Sequence, residues 1–440
     1  MAAEDVIFAL ASGAGRAGVA VVRLSGVDAG RAFEALSVSV PPPRQARLMT
    51  LADPETGALI DRALGLWFPA PGSFTGENVA EFHIHGGPAV LAALTDALAG
   101  LPGFRPAEPG EYSRRAFRNG KMDLAEAEGL ADLIEADTAA ARRQALWQMQ
   151  GGLSAIYGEW RTALLELLAL AEATLDFSDE PIPNDLERDI QARAAAVLTA
   201  LEDRLEGDGL SERMTDGFRV VLSGPPNVGK SSVLNALARR DAAIVTDIPG
   251  TTRDVLEVKL DLGGFPVTLF DTAGLRDSDD PVEREGVRRA RAAADAADLI
   301  VDVRVDDGLS SRTGGTASEE ATGARLIFWN KCDVASPDRA VDGIRGSAKT
   351  GAGLEMLEQA LTKAAKQAIE SQPTPAITRA RHRAAVEEAA AALRRAQDAP
   401  APELAAEDYR LALRALGRVV GVVDVEDVLD HIFGAFCIGK

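Results

Sequence analysis

Short apolar runs, several of them alternating with polar positions, occupy the first 120 residues. Three of these runs are Val19–Leu24, Leu64–Phe68 and Val79–Ile84, and the third ends just before the pair Gly86-Gly87. Alternation with a period of two is typical of half-buried strands, and glycine pairs mark the turns that end them. The pattern predicts a mixed α+β domain over residues 1–120.

The pattern changes at Lys121 to apolar positions three or four residues apart, as at Leu124, Ala127 and Ala131. This period, together with an enrichment in Ala, Leu, Glu and Arg, predicts helices up to about residue 215. The segment Pro181-Ile-Pro183 breaks the helical pattern once, so we expect two long helices on either side of it.

A third pattern begins with the apolar run Phe218–Leu222, which precedes a glycine-rich turn and a helical pattern from Lys230. Strand and helix patterns then alternate to about Ile369, which predicts a doubly wound α/β domain over residues 216–370. Helical composition resumes after the linker Ser371–Pro375, over Arg379–Gln397 and Ala405–Leu416. We therefore expect a helical domain of residues 121–215 and 371–440 that the α/β domain interrupts, because insertion is tolerated where chain ends lie close together.

Composition and charge narrow the class of protein. The 440 residues are 46% hydrophobic and 26% charged, which suits several globular domains and excludes a wholly disordered chain. The net charge of −20 repels nucleic acid over most of the surface, so any RNA contact must be local. Two cysteines cannot supply a disulfide framework, and the N-terminus lacks the basic region of a signal peptide. We expect a cytoplasmic protein with no membrane partner.

The segment Gly224-Pro-Pro-Asn-Val-Gly-Lys230-Ser231 fits the phosphate-binding loop G-x-x-x-x-G-K-[ST] and lies between a predicted strand and a predicted helix. In such a loop the backbone N–H groups hold phosphates, the lysine adds positive charge and the serine hydroxyl binds Mg²⁺. Three further elements follow in the expected order: Asp271-Thr-Ala-Gly274, Asn330-Lys-Cys-Asp333 and Ser347-Ala-Lys349. A carboxylate at Asp333 can accept both edge N–H groups of guanine, so the ordered set predicts a site for GTP.

The loop Gly250-Thr-Thr-Arg-Asp254 fits the remaining switch and resembles that of the translation-factor-like GTPases, with Thr252 as the second Mg²⁺ ligand beside Ser231. Leu275 stands where a Ras-type protein has the glutamine that orients the attacking water, and leucine cannot do so. Glu283 is our candidate for that catalytic role, and the alternative is a solvated surface carboxylate. The residues predicted to bind GTP are Asn227, Val228, Gly229, Lys230, Ser231, Ser232, Thr246, Asp247, Ile248, Pro249, Gly250, Thr251, Thr252, Asp271, Thr272, Ala273, Gly274, Asn330, Lys331, Asp333, Ser347, Ala348 and Lys349.

Further motifs resemble one GTPase family more specifically, from the first strand to the C-terminus. They are Phe74-Thr-Gly-Glu77, His85-Gly-Gly-Pro88, Pro109-Gly-Glu111, Arg115-Ala-Phe117, Lys121-Met-Asp-Leu-Ala-Glu-Ala127 and Phe436-Cys-Ile-Gly-Lys440. The chain resembles the tRNA uridine-modification GTPases of the MnmE or TrmE family. The loop Ser12–Gly18 departs from the family pattern, where relatives have two prolines and a glycine-rich pair.

The resemblance implies an N-terminal domain that binds folate and forms a homodimer, and a split helical domain. It also implies a partner, the FAD protein MnmG, with which the family adds an aminomethyl-type group to the wobble uridine of certain tRNAs. The one-carbon unit comes from a tetrahydrofolate derivative, of the 5-formyl or methylene kind. By motif, the folate contacts fall on Arg23, Glu81, Lys121 and Lys440. From the residues alone, Arg23 and Glu81 are ordinary charges at strand edges.

The family's hydrolysis is also activated by K⁺, which accompanies dimerisation of the α/β domains. By the same resemblance the K⁺ ligands are Asn227, Thr246, Ile248 and Thr251. A bound K⁺ would supply the positive charge that an arginine finger supplies elsewhere. The alternative role of Asn227 is that of a turn-forming residue after Pro226.

Two other functions remain open at this point. One is a GTP-dependent switch in ribosome assembly or RNA binding, which needs no folate pocket, and the other is a folate-binding protein that has lost hydrolysis. Cys437 is a candidate nucleophile, although a packing or folate-pocket role suits it better. His83 and His85 share one strand face without a nearby cluster of metal ligands. The clearest basic patch for tRNA is Arg114, Arg115, Arg118 and Lys121, and the alternative is that much of it serves folate and the dimer.

Overall fold

A six-stranded sheet forms the centre of the N-terminal region in the computed structural model of the chain. Its strands are β1 (Val6–Leu10), β2 (Ala17–Ser25), β3 (Arg47–Ala52), β4 (Leu59–Phe68), β5 (Val79–Gly86) and β6 (Phe104–Pro106), in the order β3-β4-β5-β2-β1-β6. Only the β1–β6 pair is parallel. The described residues are 5–36, 38–176, 184–206, 217–239, 257–271, 297–305, 324–334, 342–370, 377–422, 429, 432–434, 436 and 439.

Strand alternation gives this sheet two different faces. One face packs Phe8, Val22 and Phe82 against Phe33 and other apolar side chains, in a core shared with the helix Pro88–Ala99. The opposite face carries Arg23 and Glu81, which stand directly across from each other on β2 and β5. Two further helices in this region are Arg31–Ala35 and Glu111–Arg118. The predicted mixed α+β fold is confirmed.

The helical part has more breaks than the sequence pattern predicted. Its helices are Leu124–Glu135, Ala139–Met149, Gly152–Asp176, Asn184–Glu206, Ala380–Gln397 and Pro402–Val420. The single predicted break at residues 181–183 was therefore too few, and that segment itself lies outside the described residues. Thr138 starts a new helix by accepting the Ala141 N–H on Oγ1 (3.2 Å), and Gly151 turns the chain with a φ of +83°.

The helices on the two sides of the α/β segment pack on each other. Ala380–Gln397 contacts Asn184–Glu206, and Arg394 forms a hydrogen-bonded ion pair of 2.6 Å with Glu202. No helix among the described residues is long and apolar enough to cross a bilayer. Contacts divide the chain into one compact unit of residues 1–131, 148–161 and 413–440 and another of residues 132–147 and 162–412.

A second six-stranded sheet lies in the latter unit. Its strands are β7 (Phe218–Ser223), β8 (Glu257–Leu262), β9 (Phe265–Asp271), β10 (Leu299–Val305), β11 (Ala324–Asn330) and β12 (Ile344–Arg345), in the order β12-β11-β10-β7-β9-β8. All neighbours are parallel except β8 and β9, which form a hairpin. The helices Lys230–Leu237 and Leu354–Glu370 pack together on this sheet. The chain reverses its direction of winding at β7, where ligands bind in such folds.

Within the first of these two units, the C-terminal segment packs on residues of the N-terminal region through a cluster that contains several aromatic rings. Phe433 is fully buried with Leu124 and Ala127, and its ring lies 5.5 Å from that of Phe436. Gly110 begins the helix Glu111–Arg118 with a φ of +65°, and a Cβ there would lie 2.3 Å from the carbonyl oxygen of Phe433. The close approach of the tail therefore requires glycine at this position.

We predict that Gly110→Ala destabilises the protein more than Gly120→Ala does. Both glycines have a φ of +65°, but a Cβ on Gly120 meets no atom within 4 Å. The control variant carries the backbone strain alone, about 1 kcal/mol, whereas Gly110→Ala must also displace Phe433. Urea unfolding followed by circular dichroism measures the difference, and equal midpoints for the two variants would contradict the tight docking of the tail.

Candidate functional site

The predicted phosphate loop joins β7 to the helix Lys230–Leu237, at the carboxyl edge of the second sheet. Two glycines allow the backbone to fold tightly there. A Cβ on Gly224 (φ +137°) would lie 2.2 Å from the Val303 carbonyl oxygen, and one on Gly229 (φ +95°) would lie 2.5 Å from the Asn330 amide nitrogen. The loop therefore opens onto the N-terminus of the helix, whose N–H groups and dipole favour phosphate.

Lys230 and Ser231 occupy the positions that phosphate binding requires. The Lys230 side chain is almost fully buried, and its Nζ donates to the carbonyl oxygens of Gly224 (2.8 Å) and Pro225 (3.1 Å). The Ser231 hydroxyl donates to a carboxylate oxygen of Asp271, the last residue of β9. A hydroxyl and a buried carboxylate thus meet beside the loop, and such hard oxygen donors suit Mg²⁺.

Asn330 joins three loops at the same edge. Its Nδ2 donates to the Val228 carbonyl oxygen (2.8 Å), and its Oδ1 accepts the Ala348 N–H (2.9 Å). Lys331, with a φ of +63°, donates from Nζ to the Asn227 carbonyl oxygen (2.7 Å). The phosphate loop, the end of β11 and the loop after β12 are therefore fixed relative to one another.

Asp333 is the residue predicted to bind guanine, and it is exposed at this edge. The Ser347 hydroxyl, which is fully buried, donates to its Oδ1 (2.6 Å). That hydrogen bond lowers the pKa of the Asp333 carboxyl, because it stabilises the ionised form. Asp333 is thus an oriented carboxylate that can accept the two N–H groups of a guanine edge.

The described part of the predicted GTP set converges on this single edge. The remainder, which includes the loop Thr246–Thr252, residues Thr272 to Gly274, and Glu283, lies outside the described residues. Asn227 adopts a φ of +64°, which fits the turn-forming role and leaves its role toward K⁺ a prediction.

The predicted folate residues Arg23 and Glu81 form an ion pair on the face of the first sheet opposite the Phe33 core, with side chains 26% and 14% exposed. Arg23 Nε donates to Glu81 Oε1 (2.9 Å), and His83 Nε2 lies 3.2 Å from Glu81 Oε2. The Arg23 guanidinium lies 5.7 Å from the centre of the Phe74 ring, and the Tyr112 hydroxyl donates to the Arg23 carbonyl oxygen (2.6 Å). The pairing was not predicted, because it depends on the register of two strands far apart in the chain.

Lys121 and the C-terminal tail approach the same region from other elements. Lys121 Nζ donates to the Pro71 carbonyl oxygen (3.0 Å), which begins the loop that carries Phe74. A Cβ on Gly439 would lie 2.1 Å from the carbonyl oxygen of Leu10, the last residue of β1. The tail therefore contacts the strand beside Arg23, while Lys440 and Cys437 lie outside the described residues.

The structure changes one candidate feature, the basic patch. Arg115, which we placed in a basic patch, is buried and forms ion pairs with Glu77 and Glu111, so it cannot contact tRNA; Arg118 and Lys121 are exposed. His85 Nδ1 lies 2.8 Å from an Asp61 carboxylate oxygen. Among the residues that the structure describes, no three His, Cys, Asp or Glu side chains group as metal ligands.

Two family models and several relatives match this chain. A family model described as "GTP-binding protein TrmE N-terminus" matches residues 6–121, and one described as "MnmE helical domain" matches residues 124–437. The tRNA modification GTPase MnmE of Parvibaculum lavamentivorans is 52% identical, over 99% of this chain and 100% of that protein. The protein of the same name from Rhodospirillum rubrum is 52% identical, over 99% of both chains.

Among solved structures, a crystal structure of an Aquifex aeolicus Era variant bound to GDP and aluminium fluoride is 22% identical. It covers 33% of this chain and 56% of that one, with a TM-score of 0.26. Because relatives of about 50% identity match over the full length and both family models match, the chain belongs to the MnmE family of tRNA modification GTPases.

Proposed function

We propose that the protein is a K⁺-activated GTP hydrolase that acts with the FAD protein MnmG on the wobble uridine of certain tRNAs. The product carries an aminomethyl-type or carboxymethylaminomethyl group at C5 of the uracil ring, and a tetrahydrofolate derivative supplies the one-carbon unit. The observation that carries this proposal is the presence, in one chain, of a guanine-nucleotide edge and an Arg23–Glu81 pair beside Lys121 and the tail.

Each group of residues at the nucleotide edge has its own proposed role in GTP hydrolysis. The phosphate loop and Lys230 hold the phosphates, and Ser231 and Thr252 are the proposed Mg²⁺ ligands; the meeting of Ser231 with the Asp271 carboxylate supports that site. Mg²⁺, when bound, neutralises charge that develops on the phosphate oxygens. Glu283 is the proposed water-positioning residue, acting through a bridging water, because Leu275 has no group that could orient the attacking water.

The folate contacts are proposed at Arg23, Glu81, Lys121 and Lys440. A carboxylate can accept from the donor edge of a pterin, while cations can bind the glutamate carboxylates of folate. Because Arg23 uses Nε for Glu81, its two Nη groups can donate to a ligand at the same time. The contact of Gly439 with β1, the strand that pairs with the one carrying Arg23, supports the proposed folate contact of the C-terminal tail.

The proposed assembly is a homodimer through the N-terminal domain, residues 1–120, and a larger complex with MnmG and tRNA in the cytoplasm. Leu48 and Leu64 stand opposite each other on β3 and β4 and are 58% and 41% exposed. Two such neighbouring apolar side chains on one sheet face support a protein contact there. The proposed helical domain of residues 121–215 and 371–440 is interrupted by the GTPase domain of residues 216–370.

The competing function is a GTP-dependent switch in ribosome assembly or RNA binding without folate chemistry. Such a switch requires the nucleotide edge, but it does not require Arg23, Glu81, Lys121 and the tail in one region. Mass spectrometry of wobble uridines from cells with and without the protein separates the two functions. Unchanged uridines in the deletion strain would favour the switch.

We predict that K⁺ stimulates GTP hydrolysis while Na⁺ has little effect, and that Asn227→Ala loses the stimulation but still binds GTP. The proposed reason is that the Asn227 side chain binds the ion that supplies positive charge in the transition state. Turnover measured in matched KCl and NaCl checks this. Full K⁺ activation of the Asn227→Ala variant would remove the ion role.

We predict that Asp333→Asn shifts nucleotide preference from guanosine toward xanthosine. Xanthine offers an acceptor where guanine has its amino group, and the asparagine amide can donate to it. Affinities for GDP and XDP, measured by calorimetry, should cross over, with a change of about 10²-fold or more, because the mismatched base leaves polar groups unpaired in the complex. Unchanged selectivity for guanosine would count against the base-binding role.

We predict that deletion of the last four residues weakens the binding of 5-formyltetrahydrofolate and abolishes wobble-uridine modification in the presence of MnmG. K⁺-stimulated GTP hydrolysis should remain close to wild type, because the phosphate loop lies in a different part of the fold. Calorimetry, mass spectrometry and turnover are the three measurements. Retained folate binding together with normal modification would show that the tail has a structural role only.

A further inference from the structure

A chain of buried charges lies behind the loop Pro71–Glu77. The Glu77 carboxylate accepts from the Ser25 hydroxyl (2.7 Å) and from Arg115 Nη1 (3.1 Å). Arg115 also donates from Nη2 to Glu111 (3.1 Å), and Arg105 closes the chain with two hydrogen bonds to Glu111 of 2.6 and 2.8 Å. The side chains of Arg115, Glu77 and Glu111 are 8 to 10% exposed, so these charges are held by one another rather than by water.

Glu111 shows how firmly the charges are compensated. Burial alone would raise the pKa of its carboxyl, but the hydrogen bonds from Arg105, the Glu108 N–H and Arg115 outweigh burial and lower the pKa to about 2. The group therefore stays ionised at every pH at which a folded enzyme is assayed. Because Arg105 alone makes two bonds to Glu111, the Glu111 carboxylate stays paired even when Arg115 is replaced.

The loop that Arg115 holds contacts two of the proposed folate cations, Arg23 and Lys121. Phe74 lies under the Arg23 guanidinium, and the Pro71 carbonyl accepts from Lys121. Thr75 fixes the middle of the loop: its Oγ1 lies 2.6 Å from the Ser25 hydroxyl, and its carbonyl accepts from Asn119 (2.7 Å). A shift of this loop would therefore move the supports of Arg23 and Lys121 together.

The helix Glu111–Arg118 connects the same groups from behind. Tyr112, on that helix, donates to the Arg23 carbonyl oxygen, and the Lys121 N–H donates to the Ala116 carbonyl oxygen (2.8 Å). Arg115 lies between these two contacts on the same helix and makes the ion pair from it to the loop. One helix and one loop, joined by Arg115 and Glu77, thus set the relative placement of Arg23 and Lys121.

We propose that Arg115 is a positioning residue of the reduced-folate pocket: its ion pair with Glu77 fixes the loop Pro71–Glu77 against the helix Glu111–Arg118, and thereby the spacing between Arg23 and Lys121. The inference rests on the proposed folate site. Arg115 is too buried to contact the ligand and acts through Phe74 and Pro71. Arginine suits this place because its planar fork bonds two carboxylates at once, which a lysine ammonium does with less defined geometry.

The test measures the affinity for 5-formyltetrahydrofolate by calorimetry on the full-length protein. It compares wild type with a variant that has no charge at positions 115 and 77. Arg115→Met alone would leave Glu77 buried and unpaired, so the decisive variant is Arg115→Met with Glu77→Gln, which removes both charges and leaves Glu111 bound to Arg105. We expect its Kd to rise about tenfold or more with a melting temperature close to wild type and unchanged GTP turnover. Arg31→Gln, at an exposed ion pair of the same domain, is the matched control and should leave Kd unchanged.

Two further variants distinguish a role of Arg115 in positioning the loop from a general effect on the stability of the fold. Arg115→Lys alone should lose less affinity than the double variant, because it keeps a positive charge beside Glu77. Phe74→Leu should weaken binding in wild type but add little in the double variant, since both changes act on the same loop. Wild-type affinity in the folded double variant, or fully additive effects with Phe74→Leu, would overturn the positioning role. A wild-type protein that does not bind the folate at all would instead contradict the proposed function.

Discussion

The arrangement of the loops at the nucleotide edge depends on the two hydrogen bonds that the Asn330 side-chain amide makes. Parallel strands bring their carboxyl ends to one edge, but the loops that follow them are free to diverge unless something ties them. Asn330 is buried, donates to the phosphate loop and accepts from the loop after β12. Since each such buried bond also satisfies a backbone group, losing the amide would leave two polar groups unpaired at about 1–3 kcal/mol each.

The sequence predicted this edge well, because its parts are short motifs whose chemistry is local. The phosphate loop needs glycine at positions 224 and 229, because a Cβ atom there would collide with Val303 and with Asn330. The strands that carry Asp271 and Asn330 were expected from the largely apolar runs Val267–Phe270 and Leu326–Trp329, and each strand extends two residues before its run and one residue after it. A short motif, together with the apolar pattern of the residues beside it, therefore sufficed to place these side chains.

The first sheet was harder to predict, because its interactions depend on register and burial rather than on local pattern. Arg23 and Glu81 are 58 residues apart and meet only because β2 pairs with β5. Arg115 was placed on the surface because arginine is seldom buried, and its burial requires two carboxylates from separate elements. One available indication was the four-residue spacing of Glu111 and Arg115, which puts them on one helix face.

The second sheet is less self-contained than the pattern of strands and helices predicts. Ala140, from the helix Ala139–Met149, is fully buried in the core of this sheet, and its N–H donates to the Gly264 carbonyl oxygen in the turn of the β8–β9 hairpin (2.8 Å). A hydrogen bond and a buried alanine contribute about 1 kcal/mol each, which is small beside a core that spans all the parallel strands. The sheet therefore does not need this helix to fold. The helix contacts the hairpin at its turn, and strand β9 of the same hairpin ends at Asp271, whose carboxylate accepts from the Ser231 hydroxyl. The β8–β9 hairpin thus has the nucleotide edge at one end and a contact with the helical part at the other.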